Sequence, residues 1–237
     1  MFQNGPLHKR KKGIREVIGF YDYTVILTYV SFASSIYGMI CAMTGHFRWA
    51  IFCLALSGLC DMFDGKIARR KKDRTEDEKR FGIQIDSLCD VVCFGVFPIV
   101  LCYNLGMRHV LSIALLVFYG LAGVIRLGYF NVMEEKRQEE SSEVRKYYQG
   151  LPITSMSIAL PLAFVAAPLL QGYFLIVLHL LVLVIGILFI TDFKFRKPTN
   201  KELVVLVLLV ALAVGWILIF GKGTPGIWLK WRTGLGR

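Results

Sequence analysis

Residues 59–70 read LCDMFDGKIARR and residues 81–95 read FGIQIDSLCDVVCFG. Two aspartates, Asp61 and Asp64, therefore end one apolar stretch, and two more, Asp86 and Asp90, stand near the start of the next. A charged loop joins the two stretches. An acid inside a membrane segment costs about 2.5–3.5 kcal/mol at the bilayer centre, so four together could cost on the order of 10 kcal/mol if uncompensated. Depth near the interface lowers that figure and bound cations offset it. The economical explanation is a site for divalent metal ions within a bundle of membrane helices.

The rest of the chain supports that architecture. It has 237 residues, a mean hydropathy of +0.55, 55% hydrophobic residues and only 19% charged ones, which is the composition of a polytopic membrane protein. Apolar stretches recur at roughly 22–44, 48–68, 83–106, 109–131, 152–170, 172–191 and 203–220, each about long enough to span the hydrocarbon core. The expected fold is an all-α bundle of about six to eight transmembrane helices.

Lys and Arg outnumber Asp and Glu by 28 to 17, a formal charge of +11. The basic residues lie in segments between apolar spans instead of forming a nucleic-acid-binding face, so no nucleic-acid partner is expected. HKRKKGIR (8–15), RRKKDRTEDEKR (69–80) and KFRKPTNK (194–201) are Lys/Arg-rich, and EEKRQEESSEVRK (134–146) falls on the same side. By the positive-inside rule that side is cytoplasmic. Residues 1–20 then form a basic N-terminal segment, either an interfacial helix against anionic lipid or a cytoplasmic tail. The first span is full length and lacks the cleavage site of a signal peptide, so an anchor is expected. The tail GKGTPGIWLKWRTGLGR (221–237) fits the pattern poorly, because seven spans put a Lys/Arg-bearing end outside. Trp228 and Trp231 suggest that it lies at an interface. The six cysteines, Cys41, Cys53, Cys60, Cys89, Cys93 and Cys102, lie in or beside spans and read as apolar packing. His46, His109 and His179 are scattered and read as structural or interfacial.

Helical spacing gives the acids a geometry. Asp61, Asp64, Gly65 and Ala68 share one face; Gly82, Asp86 and Asp90 recur every four residues on the next helix. Two helices joined by a short loop are antiparallel neighbours, so their carboxylates can converge while the small residues leave room for a bulky ligand. Asp61 precedes Arg69 by eight residues, roughly 12 Å along a helix axis, which places the site at lipid-phosphate depth. Carboxylates without His or Cys partners suit Mg²⁺, Mn²⁺ or Ca²⁺ better than zinc. The plainer reading is that the acids are solvated at helix ends or paired with Lys66 and Arg69. Two facing pairs interleaved with small residues argue against it.

Asp61-x-x-Asp64-Gly65-x-x-Ala68-Arg69 followed by Gly82-x-x-x-Asp86-x-x-x-Asp90 resembles the signature of the CDP-alcohol phosphatidyltransferase family at every fixed position. The spacer between Arg69 and Gly82 is longer than the family pattern usually has, which predicts a longer cytoplasmic turn. Within the family, the run from Asp86 to Pro98, DSLCDVVCFGVFP, resembles bacterial phosphatidylserine synthases, as do Arg126-Leu127, Phe130-Asn131 and Gly150-Leu151-Pro152. Tyr129 departs from that pattern, where arginine is common. Thr28 and Ser31 align weakly with a first-helix motif. The resemblance covers roughly 22–195, which implies a membrane core over 21–195; residues 196–237 form an additional membrane segment and tail.

The resemblance implies transfer of a phosphatidyl group from CDP-diacylglycerol to the hydroxyl of L-serine, with release of CMP, by a multi-pass enzyme of the cell membrane whose site lies near the cytoplasmic face. It implies Asp61, Asp64 and Asp86 as ligands of Mg²⁺ or Mn²⁺, with Ca²⁺ as another occupant, and Asp90 as a further ligand and the general base. Gly65, Ala68, Arg69, Gly82 and Thr28 would meet the CDP-lipid. Arg126 is either structural or a clamp for the acceptor carboxylate or a donor phosphate. Besides these two substrates, membrane phospholipid is an expected partner. Homodimers occur in families resembling this one, but no heptad or interface motif establishes a dimer here. Another acceptor, glycerol phosphate or inositol, and a divalent-cation transporter are the competing readings.

Overall fold

The computed structural model describes Gly19 and residues 25–70, 75–140, 147–196 and 199–220; the side chains of 66–70, 76, 137–140, 147–149, 171, 194–196, 200 and 220 lie outside that description. The expectations for residues 1–18 and for the tail 221–237 therefore fall outside the described residues.

The described chain is helical almost throughout. Helix α1 is Ile26–Met43, α2 Phe47–Arg70, α3 Glu76–Asp90, α4 Phe97–Asn104, α5 Val110–Glu140, α6 Met156–Leu170, α7 Phe174–Ile190 and α8 Asn200–Phe220. A π-helical turn, Val91–Val96, joins α3 to α4 without a break, so eight helices make seven rods, one for each apolar stretch. Five runs are long and apolar enough to cross a membrane: Ile26–Met43, Asp77–Asn104, Val110–Lys136, Ile153–Leu170 and Lys201–Ile219. Phe174–Ile190 is a shorter apolar helix. Helix α2 has 24 residues, enough for about 36 Å, yet it is not among the apolar five. Arg48, Asp61 and Asp64 lie within it. The chain is a polytopic helical membrane protein.

Local chemistry explains where the rods begin and turn. Thr75 opens α3 with a reciprocal cap: the Glu78 N–H donates to Thr75 Oγ1 at 3.2 Å, and the Thr75 N–H donates to Glu78 Oε2 at 2.8 Å. The α1–α2 turn is only Thr44-Gly45-His46, so those helices lie antiparallel along their length. After α5, Tyr147–Gln149 (β1) pairs antiparallel with Lys194–Arg196 (β2), which follows α7, in the register Tyr147↔Arg196, Tyr148↔Phe195 and Gln149↔Lys194. The connections after α5 and after α7 thus share one end of the bundle.

The α1–α2 seam is polar and close. Ser31 Oγ donates to the Ser57 carbonyl at 3.1 Å, and Ser57 Oγ donates back to the Ser31 carbonyl at 3.0 Å. Ser35 Oγ then donates to Ser57 Oγ at 2.7 Å, and Ser34 Oγ reaches the Cys53 carbonyl at 3.1 Å. A Cβ on Gly38 would stand 2.3 Å from a Phe97 ring carbon, so only glycine lets α1 sit this near. The apolar core lies below, around Ile51, Leu54, Phe94, Phe97, Leu101, Met156, Leu160 and Leu178. All six cysteines are buried and free. His179 ties α7 to α5 through Ser112 Oγ at 2.7 Å.

Candidate active site

Asp61 and Asp64 stand three residues apart near the end of α2, and Asp86 and Asp90 lie in the last turns of α3. Antiparallel packing brings them together: Asp61, Asp86 and Asp90 each offer a carboxylate oxygen, and these oxygens all lie within 4.8 Å of one another. Asp61 is in hydrogen-bonding reach of Asp90, and Asp64 of Asp86. Asp64 is the most enclosed, 6% exposed, and its Oδ2 accepts from Thr28 Oγ1 of α1 at 3.0 Å. The first turns of α1 therefore help build the site.

Such crowding is expensive without a counter-charge. Two unit charges about 4 Å apart repel by about 4 kcal/mol at an effective dielectric of ~20. A hard divalent cation fits the donor set. Oxygens bound to one ion at about 2.0–2.6 Å lie no more than about 4–5 Å apart, which the three-acid cluster satisfies. It is all-oxygen, which favours Mg²⁺, Mn²⁺ or Ca²⁺.

The small residues flank the acids as the helical spacing requires. Gly65 follows Asp64, and Gly82 lies one turn before Asp86; both are partly buried. Ala68 and Arg69 continue α2, but their side chains lie outside the described residues. Thr28 meets Asp64. One residue beyond Asp86, Ser87 Oγ donates to Asn131 Oδ1 of α5 at 3.0 Å, which lays the Phe130-Asn131 motif beside α3.

Arg126 is buried, 6% exposed, and its Nε donates to the Leu151 carbonyl at 3.1 Å while its Cζ lies 5.4 Å from the centre of the Phe130 ring. Gly150 has φ +72°, and a Cβ there would meet the Thr191 carbonyl at 3.2 Å. Its N–H donates to the Phe193 carbonyl at 2.8 Å. The Arg126-Leu127 and Gly150-Leu151-Pro152 motifs are thus two sides of one joint between α5, the start of α6 and the end of α7. Sequence reading separated them because 24 residues intervene between Arg126 and Leu151.

It also passed over Tyr119 and Ser57, both fully buried. A tyrosine in the middle of an apolar span carries a signal, since its hydroxyl must find a partner away from water.

A relative from Methanocaldococcus jannaschii, named CDP-diacylglycerol–serine O-phosphatidyltransferase, is 30% identical over 188 residues, covering 79% of each chain. One from Saccharomyces cerevisiae with the same name is 31% identical over 149 residues, 60% of this chain and about half, 52%, of that one. An archaetidylserine synthase from Methanothermobacter thermautotrophicus is 27% identical over 147 residues, 62% of this chain and 59% of that one. The family model described as CDP-alcohol phosphatidyltransferase matches residues 24–220, from the start of α1 through α8, and the chain belongs to that family.

Proposed function

We propose that the protein transfers the phosphatidyl group of CDP-diacylglycerol to the hydroxyl of L-serine, giving phosphatidylserine and CMP. The observation that carries the acceptor is the shared element in the relatives' names. The yeast and Methanocaldococcus proteins are named for serine with CDP-diacylglycerol, and the Methanothermobacter protein for archaetidylserine. The lipid named differs while serine recurs.

In this reading Asp90 takes the proton from the serine hydroxyl as its oxygen attacks the phosphorus of the phosphatidyl group. The phosphorus–oxygen bond to the CMP phosphate breaks, and CMP leaves with the bonding electrons. Asp61, Asp64 and Asp86, with Asp90 as a further ligand, would hold Mg²⁺ or Mn²⁺. When bound, such ions neutralise diphosphate charge and stabilise the charge that develops in phosphoryl transfer. Thr28 orients Asp64 from α1. Gly65, Ala68, Arg69 and Gly82 leave space for, and contact, the CDP moiety. Arg126 anchors the Gly150-Leu151-Pro152 turn through its Nε, and a guanidinium fork is suited to an acceptor carboxylate or a phosphate.

The reading places the site at the cytoplasmic face of the cell membrane. The support is that the acids lie on the two helices joined by the α2–α3 connection, one of the Lys/Arg-rich segments, with Asp61 eight residues before Arg69. There the donor's acyl chains stay in lipid while CMP and serine exchange with water.

Purified protein given CDP-diacylglycerol and radiolabelled serine should form a labelled phospholipid, and unlabelled glycerol 3-phosphate or inositol should not replace serine. Lipid product with either of those acceptors, and none with serine, would overturn the assignment.

A further inference from the structure

The π-helical turn between α3 and α4 begins at Val91, the residue after Asp90. Its cause is three residues beyond Gly95. Pro98 has no N–H, so the carbonyl four residues earlier, that of Phe94, loses the donor an α-helix would give it, and the proline ring crowds that same carbonyl. The helix responds by widening: the Phe97 N–H reaches back five residues to the Val92 carbonyl. Phe94 is fully buried in the bundle, where no water can serve its carbonyl and an unpaired polar group is costly. Tyr119 of α5 meets the need. Its hydroxyl donates to the Phe94 carbonyl at 2.5 Å. The tyrosine is itself completely buried, with its ring 5.5 Å from that of Phe189 on α7, so it is braced from behind.

A π-turn amounts to one extra residue in the rod, and one residue is ~100° of rotation in an α-helix. The turn therefore sets how the acid-bearing face of α3 is rotated relative to the face of α4 that packs Phe97 and Leu101 into the core. We propose that Tyr119 is a positioning residue for the acidic site: by holding the carbonyl that Pro98 frees, it fixes the π-turn and with it the rotation of Asp86 and Asp90 toward Asp61. The inference rests on the cation-binding reading of the acids.

The test measures Mn²⁺ binding by calorimetry on the full chain in detergent, for wild type, Tyr119→Phe, Pro98→Ala, the double variant and Asp86→Asn. Tyr119→Phe keeps the ring and removes only the donor. It should weaken Mn²⁺ binding about 10-fold or more, the loss usual for groups that orient metal ligands. Pro98→Ala restores a donor to Phe94 and lets the turn close into an α-helix. It should also weaken binding, alone and in the double variant, although the orphan carbonyl is then satisfied. Wild-type affinity in Tyr119→Phe, in Pro98→Ala or in the double variant would show that the hydroxyl serves only local stability, and would overturn this inference alone. Wild-type protein that binds Mn²⁺ no better than Asp86→Asn would overturn the cation reading and this inference with it.

Discussion

Helices α2 and α8 have similar lengths and opposite characters. Helix α8 reads as an uninterrupted span, and most of it faces outward: Val205, Leu208, Leu212, Trp216 and Ile219 are all exposed. Helix α2 carries Arg48, Asp61 and Asp64, does not qualify as an apolar span, and packs against α1, α6 and α8. In water the more apolar helix would be the more buried. In a bilayer the lipid tails are as apolar as leucine, so burial selects small and polar residues that approach closely or hydrogen-bond across helices. Several of the buried polar residues, Thr28, Ser31, Ser35, Ser57 and Asp64, thus gather on α1 and α2, beside the candidate site.

The largest effect should come from the acids. Asp90→Asn keeps the size and removes the proposed base, so turnover with CDP-diacylglycerol and serine should fall by roughly 10²–10⁴-fold. An equivalent polar change on the outer face of α8 should leave turnover within a factor of about two, because Leu212 is 75% exposed and outside any site. Near-normal turnover of Asp90→Asn would break the contrast at its strongest point.

Next come the glycines of the two faces. Gly38→Ala puts a methyl group 2.3 Å from the Phe97 ring and 2.7 Å from Cys53 Cβ, an overpacking that should cost about 1–3 kcal/mol. Gly215→Ala on α8 meets nothing within 4 Å and should gain about 0.5–1 kcal/mol from helix propensity. Thermal unfolding in detergent should therefore move in opposite directions for the two substitutions. A shared sign would show that the seam has slack.

Much of this was legible in the chain, and for one reason. Ionisable residues in apolar spans are rare enough to be read singly, so Asp61, Asp64, Asp86 and Asp90 pointed to a membrane bundle and to a candidate site, and their i,i+3 and i,i+4 spacing predicted the convergence that brings oxygens of Asp61, Asp86 and Asp90 within 4.8 Å of one another. The seven helical rods followed from length and composition, and five described runs are long and apolar enough to cross a membrane. The capping box at Thr75 and Glu78 was readable and went unread. Family membership leaves the transporter alternative without support. What the sequence did not yield depends on contacts across helices. The Thr28–Asp64 bond crosses from α1 to α2, and the Arg126–Leu151 joint from α5 to the start of α6. The π-turn is an intermediate case. Pro98 announced a disturbed helix, but whether the rod would kink, break or widen depended on Tyr119, a residue from another rod.

The smallest predicted effect is the most instructive about the seam. Ser57 sits at the centre of the α1–α2 hydrogen bonds, donating to the Ser31 carbonyl and accepting from Ser35 Oγ. Ser57→Ala removes both contacts and keeps the small volume. The loss should still be only about 0.6 kcal/mol, the average for hydrogen bonds between membrane helices. Two features of the site explain why. The Ser31 carbonyl can also be reached by the Ser35 hydroxyl, four residues along the same helix, by back-bonding within α1. No charged group is left bare when the Ser57 hydroxyl goes. If the measured loss is of this size, the seam's stability comes from closeness, and the serines matter because they are small. A loss of more than about 2 kcal/mol would exceed the largest value typical of such bonds. It would make the hydrogen bonds themselves the reason that α1 and α2 adhere, and with them the placement of Thr28 against Asp64.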